Sequence, residues 1–191
     1  VSGERAIERF APEALVRERH EVEVRAPADV VFEVAEGFDL LSLRLVHFIF
    51  WLRAKLLGAP PPARGDLKGL VAATRGMGWQ ELHRRPGREL VMGAAVQPWL
   101  PEPVFKPIPP DLFLAYAEPD HVKIVWTLEA EDLSPDRARF RTETRVQPTD
   151  ESARTHFRRY WRFAGYGIVL IRYLLLPAVR REAERRARGV R

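Results

Sequence analysis

The stretch "RYWRFAGYGIVLIRYLLLPAVRREAERR", residues 159–186, decides how the rest of the chain is read. From Phe163 to Val179 it runs seventeen residues with a single charge, Arg172, and then turns strongly basic. A membrane-spanning helix needs about 20 predominantly apolar residues. This one carries Arg172 mid-way, Gly165, Gly167 and Pro177, and it follows a strand hairpin that needs a cover. We therefore read it as the core helix of a globular fold. Phe157, Trp161, Ala164, Ile168, Ile171 and Leu175 form its apolar face. Its excess greasiness outside that face leaves a docking role open, on a membrane surface or on a second protomer.

The hairpin is the segment "HVKIVWTLEAEDLSPDRARFRTETRVQPTD", residues 121–150. Val122, Ile124, Trp126, Leu128 and Ala130 alternate to one side. After a turn at "LSPD", Ala138, Phe140, Thr142, Thr144 and Val146 do the same. Glu129 and Glu131 share the other side with Arg137, Arg139 and Arg141, and can pair with them across the strands. The pattern predicts an antiparallel sheet with one covered and one solvated face. Thr149 or Asp150 is placed to cap the long helix that follows.

Working back, "GWQELHRRPGRELVMGAAVQPW" (78–99) reads as two strands turning at Pro86–Gly87. "HEVEVRA" (20–26) is a strand, and "APADVVFEVAEGF" (26–38) a short helix opened by Pro27 and stopped at Gly37. Residues 38–57 place Phe38, Leu41, Leu45, Phe48, Leu52 and Leu56 on a helical stripe. "DLKGLVAATRG" (66–76) suggests another short helix. Residues 100–111 hold five of the 16 prolines and predict a rigid loop or sheet edge, with a short strand following in "LFLAYAE". The order predicts an α+β fold, one sheet covered by one long helix.

The 191 residues suit one domain: an N-terminal extension over 1–17, a body over 18–187, and a basic tail over 188–191. There is no cysteine, which excludes thiolate metal sites and thiol nucleophiles and points to the cytoplasm. The start is charged throughout, without the apolar region of a signal peptide. Net charge is +5, but residues 180–191 carry six arginines against two glutamates. Basicity confined to one helix end is not a nucleic-acid footprint.

The segments "HEVEVRAPADVVFEVA", "RTETRVQPTDESARTHFRRYW" and "IRYLLLPAVRREAER" resemble the START-like (SRPBCC) superfamily over roughly residues 20–187. That superfamily includes polyketide cyclases and aromatases, lipid-transfer domains and the birch pollen allergen. The end segments are also similar to an uncharacterised bacterial branch of it. The resemblance implies a helix-grip fold, in which an antiparallel sheet wraps a long C-terminal helix, with two or more short helices after the first strand. It also implies a cavity between sheet and helix for an apolar or aromatic ligand. The long helical stretch 38–57 and the proline-rich 100–111 depart from the family pattern.

Five dispersed histidines (His20, His47, His83, His121, His156) give no metal-ligand spacing, no serine lies in GxSxG, and no phosphate loop or other cofactor motif occurs. Glu81 and His83, two apart beside Trp79, could form an acid–base pair, with His47 a further candidate; the alternative is a solvated strand face with Leu82 inward. Glu143 and Arg145 read as a surface or sheet-edge ion pair. Trp126, Phe140, Phe157, Tyr160 and Trp161 are expected to converge where the last hairpin meets the last helix, as plain core or as a pocket lining; Thr142 and Thr144 either bond locally or, with Arg172, orient a ligand's polar group. Three functions follow from these readings. The first is binding of a hydrophobic, lipid-like or aromatic small molecule. The second is a cyclase- or aromatase-like enzyme, and the third a homodimeric or membrane-surface protein with a filled pocket.

Overall fold

A computed structural model of the chain describes residues 5–39 and 69–189, the Ile168 side chain apart, together with positions 45, 48, 51, 52, 55 and 58. Helix α1 (Ala6–Phe10) precedes strand β1 (Val16–Val24) and helix α2 (Ala28–Gly37). Leu45, Phe48, Trp51, Leu52 and Lys55 are helical. Helix α3 (Leu70–Gly76) leads into β2 (Gln80–Arg85), β3 (Glu89–Val96), β4 (Val122–Ser134) and β5 (Arg137–Pro148). Helix α4 (Glu151–Gly189) closes the fold. The strands form one antiparallel sheet in the order β1-β5-β4-β3-β2, with α2 and α4 on its inner face. This is the α+β, helix-grip arrangement that the sequence implies.

Local chemistry fixes the elements. Asp150 caps α4: its Oδ1 accepts the Ala153 backbone N–H at 2.7 Å, and its Oδ2 accepts the Asp120 N–H at 2.8 Å. One carboxylate thereby ties the helix start to the loop before β4. Those backbone donors hold the Asp150 carboxyl below its usual range. Gly69 stands before α3 at φ 99°, where a Cβ would sit 3.3 Å from the Glu36 carbonyl oxygen, so the entry to this helix requires a glycine. Helix α4 stays continuous through Pro177, which lies on its exposed side, where water can satisfy the carbonyl the ring leaves unpaired.

The inner core joins α2, α4 and the sheet through Val31, Phe32, Leu90, Met92, Leu128, Phe140, Leu175 and Val179. The outer face is not the solvated one expected from the arginine pattern. Ile7 and Phe10 of α1, with Ile108 and Phe113 of the 100–116 segment, cover Val91, Ala95 and Val125 there. The segment read as a strand in "LFLAYAE" is a series of turns that buries Phe113 completely and leaves Leu112 and Leu114 outside. Every residue of β3 is buried, so its apolar run marks a strand covered on both faces.

Gly93 lets Phe113 approach the sheet. A Cβ at Gly93 would collide with Leu82 and lie 2.9 Å from the Phe113 ring. Gly93→Ala is therefore expected to cost about 1–3 kcal/mol through overpacking. Urea denaturation would read this as a lower midpoint at unchanged slope.

The same cover buries Glu143 and Arg145, which are 2% and 3% exposed. Their placement on a surface or sheet edge is thus overturned. Arg145 Nε donates to Glu143 Oε1 at 2.6 Å, Arg5 Nη1 donates to Glu143 Oε2 at 2.6 Å, and Arg145 Nη1 reaches the Ala11 carbonyl at 3.3 Å. Farther along, the expected cross-strand pairs do form, Glu129 with Arg141 at 3.1 Å and Glu131 with Arg139 at 3.7 Å.

Candidate functional site

Strand β1 begins at Val16, four residues before the expected start. Its even-numbered residues, Val16, Glu18, His20, Val22 and Val24, turn inward, while Arg17, Arg19, Glu21 and Glu23 are exposed. In register with β5, Glu18 stands opposite Thr144 and His20 opposite Thr142. These four side chains form a polar band across the inner face of the sheet's edge pair. On one side of the band lie Val22, Val24, Ala138 and Phe140 of the inner core; on the other lie Val16 and Val146.

Arg172 enters this band from α4. It lies roughly half a turn round the helix from the exposed Phe163, at 100° per residue. Its Nη1 donates to Thr142 Oγ1 and its Nη2 to Thr144 Oγ1. Thr142 is fully buried and Thr144 is 6% exposed, so these hydroxyls find their partners in the guanidinium. Among the described residues no carboxylate forms an ion pair with Arg172. Burial pushes its pKa down to about 10, against a pull upward from the Glu18 charge. A guanidinium has five N–H donors, and two hydroxyl acceptors leave donors to spare, with Glu18 compensating its charge only at a distance.

His20 adds a second unmet group. Its Nε2 is buried without a hydrogen-bond partner, 3.6 Å from Glu18 Oε2, and its ring meets Tyr173 edge-on at 5.2 Å. The band thus presents an arginine and an imidazole nitrogen, each with bonding capacity to spare, inside an apolar grip.

The expected aromatic cluster divides into two. Trp126 and Phe140 belong to the inner core, where Trp126 meets Trp79 at 6.2 Å. Phe157, Tyr160 and Trp161 belong to the cluster at the other end of the band, with Phe157 and Trp161 stacked at 5.4 Å. There Leu15, Val16, Phe157 and Trp161, with Arg158 and Arg162, line an open groove of about 410 Å³. Gly165 makes room for the Trp161 indole, whose ring would lie 3.0–3.2 Å from a Cβ at that position. Val16 is the next inward position along β1 from Glu18, so the groove abuts the polar band.

The acid–base pair proposed for β2 is not assembled. A bulge between Glu81 and His83 sets Glu81 opposite Met92 of the inner core and His83 opposite Val91 of the outer cluster. Glu81 is engaged by Arg84, at 3.0 Å, and by Arg75. His83 lies 3.7 Å from Glu89. His47 falls outside the described residues. Among the described residues no cluster of acids and histidines is arranged to hold a metal ion.

No protein-family model and no curated protein matches this chain. Among solved structures, it is similar to a hypothetical protein of Helicobacter pylori (TM-score 0.45, 11% identity, covering 96% of this chain and 97% of that one). It is also similar to the ZhuI aromatase/cyclase of Streptomyces sp. R1128 (TM-score 0.30, 15% identity, covering 90% and 94%). Identities this low carry no residue of either protein over to this chain.

Proposed function

We propose that this chain binds a hydrophobic small molecule with an acidic end. The apolar body lies along the groove of Leu15, Val16, Phe157 and Trp161, and the acid reaches Arg172. The observation that carries this reading is Arg172 itself: a half-buried cation whose guanidinium is held only by the Thr142 and Thr144 hydroxyls, with no carboxylate in ion-pair contact among the described residues. A cation in that setting gains most from an anion that arrives desolvated and can accept two of its N–H groups. His20 can donate to the same anion through Nε2, or to a neutral polar group in its place. From Trp161 to Arg172 the helix advances about 16 Å at 1.5 Å per residue, room for an extended acyl chain or fused aromatic rings. The cyclase-like alternative draws nothing from Glu81 and His83, which the bulge separates.

Native mass spectrometry of the purified chain, followed by solvent extraction, tests the proposal. A stoichiometric acidic lipophile is the expected find. An apo mass that stays apo after incubation with long-chain fatty acids and aromatic acids would refute it.

A further inference from the structure

The outer side of α4 carries a second pattern, which touches the polar band only where the Tyr173 ring meets His20. Arg159, Phe163, Tyr166, Leu170, Tyr173, Pro177 and Arg181 recur at spacings of three and four, and all seven are exposed. At 100° per residue they fall within about 80° of arc, on the side away from Phe157, Arg172, Leu175 and Val179. Phe163, Tyr166 and Tyr173 are 77%, 81% and 63% exposed, a large aromatic surface to leave in water. The helix is also long and apolar enough, by length and composition, to cross a membrane, with a window of mean hydropathy 1.4. Its inner side is committed to the two cores and to the Thr142 and Thr144 hydroxyls, so it can lie on a bilayer but not pass through one without dismantling the grip.

Charge decides between a bilayer and a second copy of the chain. Between Glu151 and Glu182 the helix has no acidic residue and seven arginines, and the stripe ends on an arginine at each end. Two copies packed along this stripe would set arginine against arginine, in parallel or antiparallel register, with no acid on the stripe to compensate. An anionic lipid surface supplies the missing charge, and aromatic rings of this kind settle at the headgroup level. We infer that the outer stripe of α4 is a docking surface for an anionic membrane. Phe163, Tyr166, Leu170 and Tyr173 enter the interface, and Arg159 and Arg181 contact lipid headgroups.

Co-sedimentation of the full chain with phosphatidylcholine vesicles, with and without phosphatidylserine, tests this. The chain is expected to pellet with the phosphatidylserine vesicles, to release as salt rises, and to stay in solution with phosphatidylcholine alone. Arg181→Gln should weaken partitioning about fivefold, the factor set by one basic residue at an anionic surface. The double variant Phe163→Glu/Tyr166→Glu, at the two most exposed rings, should abolish pelleting while keeping the parent melting temperature. Arg172→Leu should pellet like the parent, which separates surface docking from uptake of lipid into the grip. Pelleting independent of phosphatidylserine, or unchanged in the glutamate variant, would overturn the inference. A concentration-dependent dimer abolished by the same glutamates, with no vesicle binding, would assign the stripe to a second copy.

Discussion

The combined variant Arg172→Leu/Thr142→Val/Thr144→Val is expected to be more stable than the parent chain, by about 1–4 kcal/mol, and to bind acidic lipophiles roughly 30-fold or more weakly. The first part follows from replacing a half-buried charge and its two hydroxyl partners together with apolar groups of similar volume, which removes their desolvation cost without leaving one of the three unpaired. The second follows from deleting one side of a buried charge pair, worth at least about 2 kcal/mol when the other side must still be buried. The two halves together distinguish a binding residue from a structural one. A structural Arg172 would make the variant less stable, as ordinary core substitutions are. Urea midpoints of delipidated protein and a ligand titration read both quantities.

Glu143→Ala is expected to cost about 3–5 kcal/mol, because it leaves the Arg145 guanidinium buried beneath α1 with only the Ala11 carbonyl and a 3.4 Å contact to Glu8. Burial pushes the Glu143 carboxyl up, but hydrogen bonds and charge from Arg145 and Arg5 outweigh it and hold the group below the glutamate value of 4.5. A carboxyl depressed in the folded state contributes stability that is complete above its unfolded pKa. That stability is lost as pH falls through the folded one. The parent should therefore lose stability as pH drops below about 4.5. The Glu143→Ala chain, already lacking this contribution, should show a shallower decline over the same range. Equal slopes in thermal melts across that range would mean that Glu143 is not the group responsible.

The pattern over 121–150 and the long apolar helix made the layer architecture legible in the sequence, because both carry their periodicity in apolar residues. Strand β1 was only half legible. After Val16 its inward positions are Glu18 and His20, so a continuous apolar alternation begins only at Val22. The residues that make the band a site are the ones that hide the strand. Thr142, Thr144 and Arg172 were readable as polar residues on apolar faces; their mutual contact was not, since it depends on how α4 crosses the sheet's edge pair. The covered outer face had one local signal, the unbroken apolar run "LVMGAAV" at 90–96. The arginines of β5 masked it, because at Arg145 the charge answers Glu143 under α1 rather than water. The Glu81–His83 pair failed because a bulge breaks the two-residue period on which sharing a face depends.

The central claim is that Arg172 receives the acid of an otherwise apolar ligand. The most direct test is to compare the affinity of the delipidated chain for a long-chain fatty acid with that for the alcohol of the same length, in the parent and in Arg172→Leu. The account predicts that the parent prefers the acid by about tenfold or more, and that the preference vanishes in the variant while alcohol binding persists. Equal affinity for acid and alcohol in the parent, or a preference that survives the loss of Arg172, would contradict it.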